Sequence, residues 1–278
     1  ALDYGGIRVG KYAASTALRH LRVGRLDLTN QAVRDALLPF LQRSLSYAKA
    51  AQNIVKTVRP QLVLSVDLGY SPRGELFDVC LAAGLETITW NAAHKNNQLM
   101  LKRYSRANRD VHPASLSVRT WHDLQAQPWT HAERERLRRE LVGSYLSGEW
   151  YGEVGTQFHT TLQEAAEIRR ALDLDDRKKT AVIFSHIFWD GTFFYGTDLF
   201  GSYEEWFVET MKVACANPHL NWIVKIHPAN IVKNVRDGVG SEPSELTAIR
   251  SLGETLPAHV RVVQPDSRMS TLSLYSVM

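Results

Sequence analysis

The sequence predicts an α/β protein built from two Rossmann-like, doubly wound domains. Two observations carry that prediction. Short β-rich runs alternate with amphipathic helical runs in both halves of the 278 residues. The alternation breaks at the glycine-rich "SGEWYGEVG" (147–155), which predicts a connection between an N-terminal domain, 1–155, and a C-terminal domain, 156–278. With 44% hydrophobic and 22% charged residues and no long biased tract, the chain is globular and long enough for two cores.

The elements follow in order. Residues 30–58 read as one long amphipathic helix, with Val33, Leu37, Leu41 and Leu45 recurring at fours and Ile54, Val55 and Val58 extending the stripe. Asn30 fits its N-cap and Pro60 stops it. "QLVLSV" (61–66) is a strand, Ser71-Pro72 opens a helix that Gly84 ends, and "LETITW" (85–90) is the next strand. This is a βαβ unit with parallel strands, whose C-terminal edge collects Asp67, Gly69, Tyr70, Asn91 and His94. Residues 92–129 give no periodic signal. A helix starts at Thr130, boxed by Glu133, and another is expected from a Thr160–Gln163 box.

The second half repeats the pattern. Strands are expected over 179–187, 220–226 and 259–265, and helices over Ser202–Ala216, Ser244–Leu252 and from about Ser270. Two such domains leave a cleft between facing strand ends, where ligands bind.

Bulk charge narrows the partners little. Thirty-three basic and 29 acidic residues give +4, a slight preference for anions and no signature of nucleic-acid binding. The basic run "ERERLRREL" (133–141) interleaves glutamates and reads as a solvated helix face. Cys80 and Cys215 lie far apart in helical patterns, without CxxC or zinc spacing, and read as small hydrophobes in a reducing compartment. No apolar stretch approaches the ~20 residues of a membrane span. With no signal-peptide layout, a cytoplasmic protein is expected. The opening "ALDYGGIRVG" and the closing "LSLYSVM" predict a fragment cut within structure at both ends.

Chemistry gathers where strands end. In "NWIVKIHPAN" (221–230) the alternation of a strand puts Lys225 and His227 on one face and Ile226 on the other. Lysine supplies positive charge, histidine donates to an oxyanion, and Pro228 restrains the backbone of His227. This suits a phosphate or a sugar acid. The alternative is a strand-end histidine bonded to a neighbouring carbonyl, with Lys225 snorkelling. The aromatic loop "FSHIFWDGTFFYGTDLFGS" (184–202) adds Ser185 and His186 at the neighbouring strand end. In the first half, Asp67 is a carboxylate at a strand end, where it either faces a ligand or caps its own turn.

Other motifs fail. "DLDD" (173–176) precedes a strand and sits at the wrong sheet edge for a donor-metal pair. "GYSPRG" has Arg73 where a nucleophile elbow needs its second glycine. There is no Walker loop, no GxGxxG, and no histidine pair with ligand spacing, so neither a metal nor a cofactor is expected.

"KTAVIFSHIFWDGTFFYG…YEEWFVET", "NWIVKIHPAN" and "VVQPDSRMSTLSLYS", together with "YSPRGELFDVCLAAGLETITWN", resemble the bacterial capsule polysaccharide biosynthesis family. The likeness spans most of 60–278 and is most specific over 179–206 and 221–230. That family is similar to GT-B glycosyltransferases, some of whose relatives transfer Kdo from a cytidine-monophosphate donor. The resemblance implies a metal-independent glycosyltransferase of capsule or surface polysaccharide synthesis. Its partners would be a nucleotide-sugar donor, a glycan or lipid-linked glycan acceptor, and other capsule-synthesis proteins at the inner membrane. Lys225 and His227 would contact the donor phosphate or sugar acid. Beside them Asn230, Ser185 and His186 complete the donor-side set; Asp67 and His227 are the catalytic candidates, and Tyr70, Asn91 and Arg103 the acceptor side. The family continues into a Gly/Thr-rich turn and a glutamate-bearing helix, beyond Met278. A nucleotide-sugar epimerase and a non-catalytic polysaccharide- or synthase-binding module are the alternatives.

Overall fold

The computed structural model describes residues 2–93, 98–147, 162–191, 199–238, 242–253 and 255–278. The chain forms two compact units. One comprises Ala1–Pro128 with Trp189–Leu199, the other Trp129–Phe188 with Phe200–Met278. The predicted connection over 147–155 falls almost entirely outside the described residues, as do His94 and the middle of the aromatic loop.

The first unit contains α1 (Val9–Leu21), α2 (Gln31–Val58), β1 (Leu62–Val66), α3 (Arg73–Ala82), β2 (Glu86–Ala92), β3 (Leu99–Tyr104) and α4 (Val118–Gln125). The long helix starts as expected, with the Asn30 side chain accepting the Ala32 N–H at 2.9 Å, a cap worth about 1 kcal/mol. Its buried line differs from the predicted leucine stripe. Phe40, Ser44, Ala48 and Ala51 are the buried positions, while Leu37, Leu41 and Leu45 pack beside them and Ile54 and Val58 face outward. Small residues line the seam because α2 lies against both α1 and α3. The approach of α1 to α3 is closer still. A Cβ on Gly74 would sit 2.2 Å from the Tyr12 ring, so only glycine fits. Nearby, Arg8 makes a forked pair with buried Asp78, at 2.9 and 2.7 Å.

β1 and β2 are parallel across α3, as the βαβ reading requires. The unpredicted β3 then returns antiparallel to β2, pairing Leu99 with Ala92 and Tyr104 with Thr87. Thr87 and Thr89 point into the unit, while Leu62, Leu64, Leu99 and Leu101 are exposed.

The second unit contains α5 (His131–Ser147), α6 (Ala165–Ala171), β4 (Thr180–Phe184), α7 (Tyr203–Ala216), β5 (Asn221–Lys225), α8 (Ala229–Asp237), α9 (Ser244–Ser251), β6 (Val260–Val263) and α10 (Thr271–Tyr275). Thr130 and Glu133 cap α5, and Ser202 accepts the Glu205 N–H at 3.1 Å to open α7. At α6 the expected box shifts: Thr160 lies outside the described residues, and Glu164 with Glu167 forms the reciprocal cap.

β4, β5 and β6 are parallel and lie in chain order. Ile183, Val224 and Ile226 pack with Phe207 and Met211 of α7 and Ile249 of α9. Ile223 and Val263 pack on the opposite side with Ile168 of α6 and Leu274 of α10. Helices thus cover both sheet faces, and each fully buried side chain of this kind contributes about 1.5–3 kcal/mol. Both units are α/β. The reversal of strand order that defines a doubly wound sheet does not occur among the described strands.

Candidate functional site

β5 is the middle strand of its sheet, so a polar side chain at its end has apolar neighbours on two faces. Lys225 is 2% exposed. Among the described residues no acceptor lies within hydrogen-bond reach of its Nζ, and no carboxylate pairs with it. Burial alone lowers its pKa, because nothing nearby favours the charged form. The alternative of a snorkelling Lys225 is therefore set aside. The ammonium is held inside the strand exit, uncompensated, because both sheet faces are covered there.

His227 follows two residues later, half-buried. Its backbone N–H donates to Ser185 Oγ at 3.0 Å, which ties the β5 exit to the β4 exit. The Ala229 N–H donates to its Nδ1 at 3.1 Å. An accepting Nδ1 carries no proton, so in neutral imidazole the proton is on Nε2, a donor suited to an anionic oxygen. Pro228 does more than stiffen the turn: it caps α8, a helix that periodicity alone did not reveal.

The remaining donor-side candidates divide. Ser185, 4% exposed, and Asn230, 2% exposed, are internal supports rather than open ligand contacts. Asn230 donates from Nδ2 to Glu245 Oε1 at 2.8 Å and, more weakly, to the His227 carbonyl at 3.4 Å. His186 is exposed, stacked on Tyr203 with ring centroids 4.0 Å apart. Its Nδ1 lies 2.7 Å from the Ile187 carbonyl.

Sequence reasoning missed Glu245. It is fully buried, accepts from Asn230 through Oε1, and has no partner for Oε2 among the described residues. Burial pushes its carboxyl up to about 7, although the Asn230 amide and the Ser185 hydroxyl favour ionisation. A glutamate in the first turn of a helix is ordinarily there for the helix dipole, so "EPSELTAIR" carried no hint of a buried one.

In the first unit, Asp67 sits at the β1 exit with a left-handed backbone, φ 63°. Its Oδ1 accepts the N–H groups of Leu68 at 2.6 Å and Gly69 at 3.1 Å, the turn-capping arrangement, while Oδ2 lies 4.0 Å from Arg73. Tyr70 is buried, donating to Asp190 at 2.6 Å. Asn91 is the penultimate residue of β2, its Nδ2 without a partner among the described residues. Arg103 is not with them. Because β3 runs antiparallel, Arg103 lies opposite Ile88, toward the start of β2, and pairs with Glu86 at 2.7 Å.

Among the described residues no group of three or more His, Cys, Asp or Glu side chains is arranged to hold a metal, and no helix is long and apolar enough to cross a membrane. No family model, curated protein or solved structure matches the chain.

Proposed function

We propose that the second unit binds the phosphate of a nucleotide-sugar donor at the β4–β5 exit. On this reading the chain is a metal-independent, GT-B-like glycosyltransferase of capsule or surface polysaccharide synthesis. The observation that carries the reading is Lys225, a buried cation without a counter-charge among the described residues, at the C-terminal edge of a parallel sheet. Such a group is costly to keep unless an anion arrives to compensate it. Support also comes from the Nε2–H tautomer of His227 beside it and from the resemblance of 179–206 and 221–230 to capsule biosynthesis proteins.

Transfer develops negative charge on the departing phosphate. Lys225 stabilises it through the low-dielectric interior, and His227 by direct donation. Removing one such donor typically costs about 2.7–4 kcal/mol of barrier. Within the first unit, Asp67 Oδ2 remains the candidate for contact with an acceptor hydroxyl. Tyr70 holds its own loop in place, and Arg103 drops out by position.

The test is incubation of the chain with a panel of nucleotide sugars, with and without glycan acceptors. Nucleotide released only when acceptor is present supports transfer, and His227→Ala then lowers donor affinity about tenfold or more while leaving the melting temperature unchanged. Epimerised sugar nucleotide without acceptor, or no nucleotide binding at all, refutes the reading.

A further inference from the structure

His227 is a half-buried ring on a strand-to-helix turn, and a catalytic imidazole needs its orientation fixed to a fraction of an ångström. Two side chains reach its backbone. Ser185 accepts its N–H from the β4 exit, and Asn230 approaches its carbonyl from α8. One of them is itself anchored: the Asn230 amide donates to Glu245 Oε1 at 2.8 Å. Glu245 is fully buried on α9 and touches no solvent, so it makes no ligand contact itself.

We propose that Glu245 is the positioning residue of this site: from α9 it braces Asn230, and Asn230 holds the turn that keeps His227 in the tautomer and orientation that present its Nε2–H to an anionic oxygen. The inference rests on the donor-phosphate reading for the identity of the ligand, but not for the bracing itself. The brace joins two elements of one unit (the β5–α8 turn and α9). Loosening it frees the turn that carries the Ala229 N–H, and with it the bond that keeps the proton off Nδ1.

A glutamine at 245 retains an acceptor for Asn230 and the side-chain volume, whereas methionine retains the volume and loses every acceptor. The readout is the nitrogen-15 spectrum of the His227 ring, with affinity for cytidine monophosphate measured on the same samples. Wild type and Glu245→Gln are expected to show the Nε2–H tautomer alone. Glu245→Met is expected to show averaged ring nitrogens and about tenfold weaker nucleotide binding. If Glu245→Met does not fold, Asn230→Ala removes the link between Glu245 and the turn and reports through the same signal. An unchanged tautomer in Glu245→Met, or in Asn230→Ala where that stands in, overturns the inference. The tautomer pattern without nucleotide binding by wild type upholds the brace and refutes the ligand reading instead.

Discussion

Replacing Glu245 by glutamine tests the electrostatics of the buried site in numbers. Burial lifts the Glu245 carboxyl from 4.5 to about 7 in the folded chain. Between those two values the folded state holds a proton that the unfolded state has released, so stability falls as pH rises through this window. Below 4.5 the group costs nothing, and above about 7 its full cost is present. At about 1.4 kcal/mol for each tenfold change in proton affinity, that cost is about 3 kcal/mol at pH 8 and under about 1 kcal/mol at pH 5. The group is fully buried, so solvent screening does not reduce the figure. Glutamine carries no such term. The stability of Glu245→Gln relative to wild type should therefore rise by about 2–3 kcal/mol between pH 5 and pH 8. Any constant penalty from the new amide cancels in that comparison. The assay is urea unfolding followed by NMR at the Ile223 and Val224 amides, in the middle strand of the second sheet. An equal difference at both pH values would show a carboxyl that ionises normally, and the account of a carboxyl raised by burial would fall.

Lys225→Met should stabilise the unliganded second unit by about 1–3 kcal/mol, because it removes an uncompensated buried charge and retains the volume. The same change should lower nucleotide affinity at least tenfold, and loss of stability in urea titrations would mean that Nζ is already well satisfied. Asp67→Ala should cost the first unit about 1–3 kcal/mol, from the lost turn bonds and the left-handed backbone. Asp67→Asn, which retains an acceptor and tolerates that backbone, should cost less than half as much in thermal unfolding.

Strand alternation placed Lys225 and Ile226 on opposite faces correctly, because side chains in a strand alternate whatever surrounds them. It said nothing of which face meets solvent. That depended on α6 and α10 covering one side and α7 and α9 the other, a tertiary fact. Capping chemistry was equally local, and Asn30, Thr130 and Ser202 act where sequence put them. β3 escaped because "LMLKRY" mixes exposed leucines with cations, its Leu99 and Leu101 facing outward where a buried strand would hide them. Arg103 was misplaced with it, since the end of the sheet a residue reaches depends on strand direction. α8 was hidden by Pro228, which reads as a stop and here opens a helix. Glu245 was beyond reach for a different reason. Its meaning comes from the Asn230 side chain brought to it across 15 positions of chain.

The solitary ammonium of Lys225 also makes this protein its own ligand detector. Whatever anion fills the strand exit supplies the missing counter-charge, so occupancy raises folding stability in proportion to the logarithm of ligand concentration over Kd. A melting screen of phosphates, nucleotides and sugar acids would rank candidate ligands before any acceptor is known. The Lys225→Met chain, already relieved of its burden, would serve as the blank.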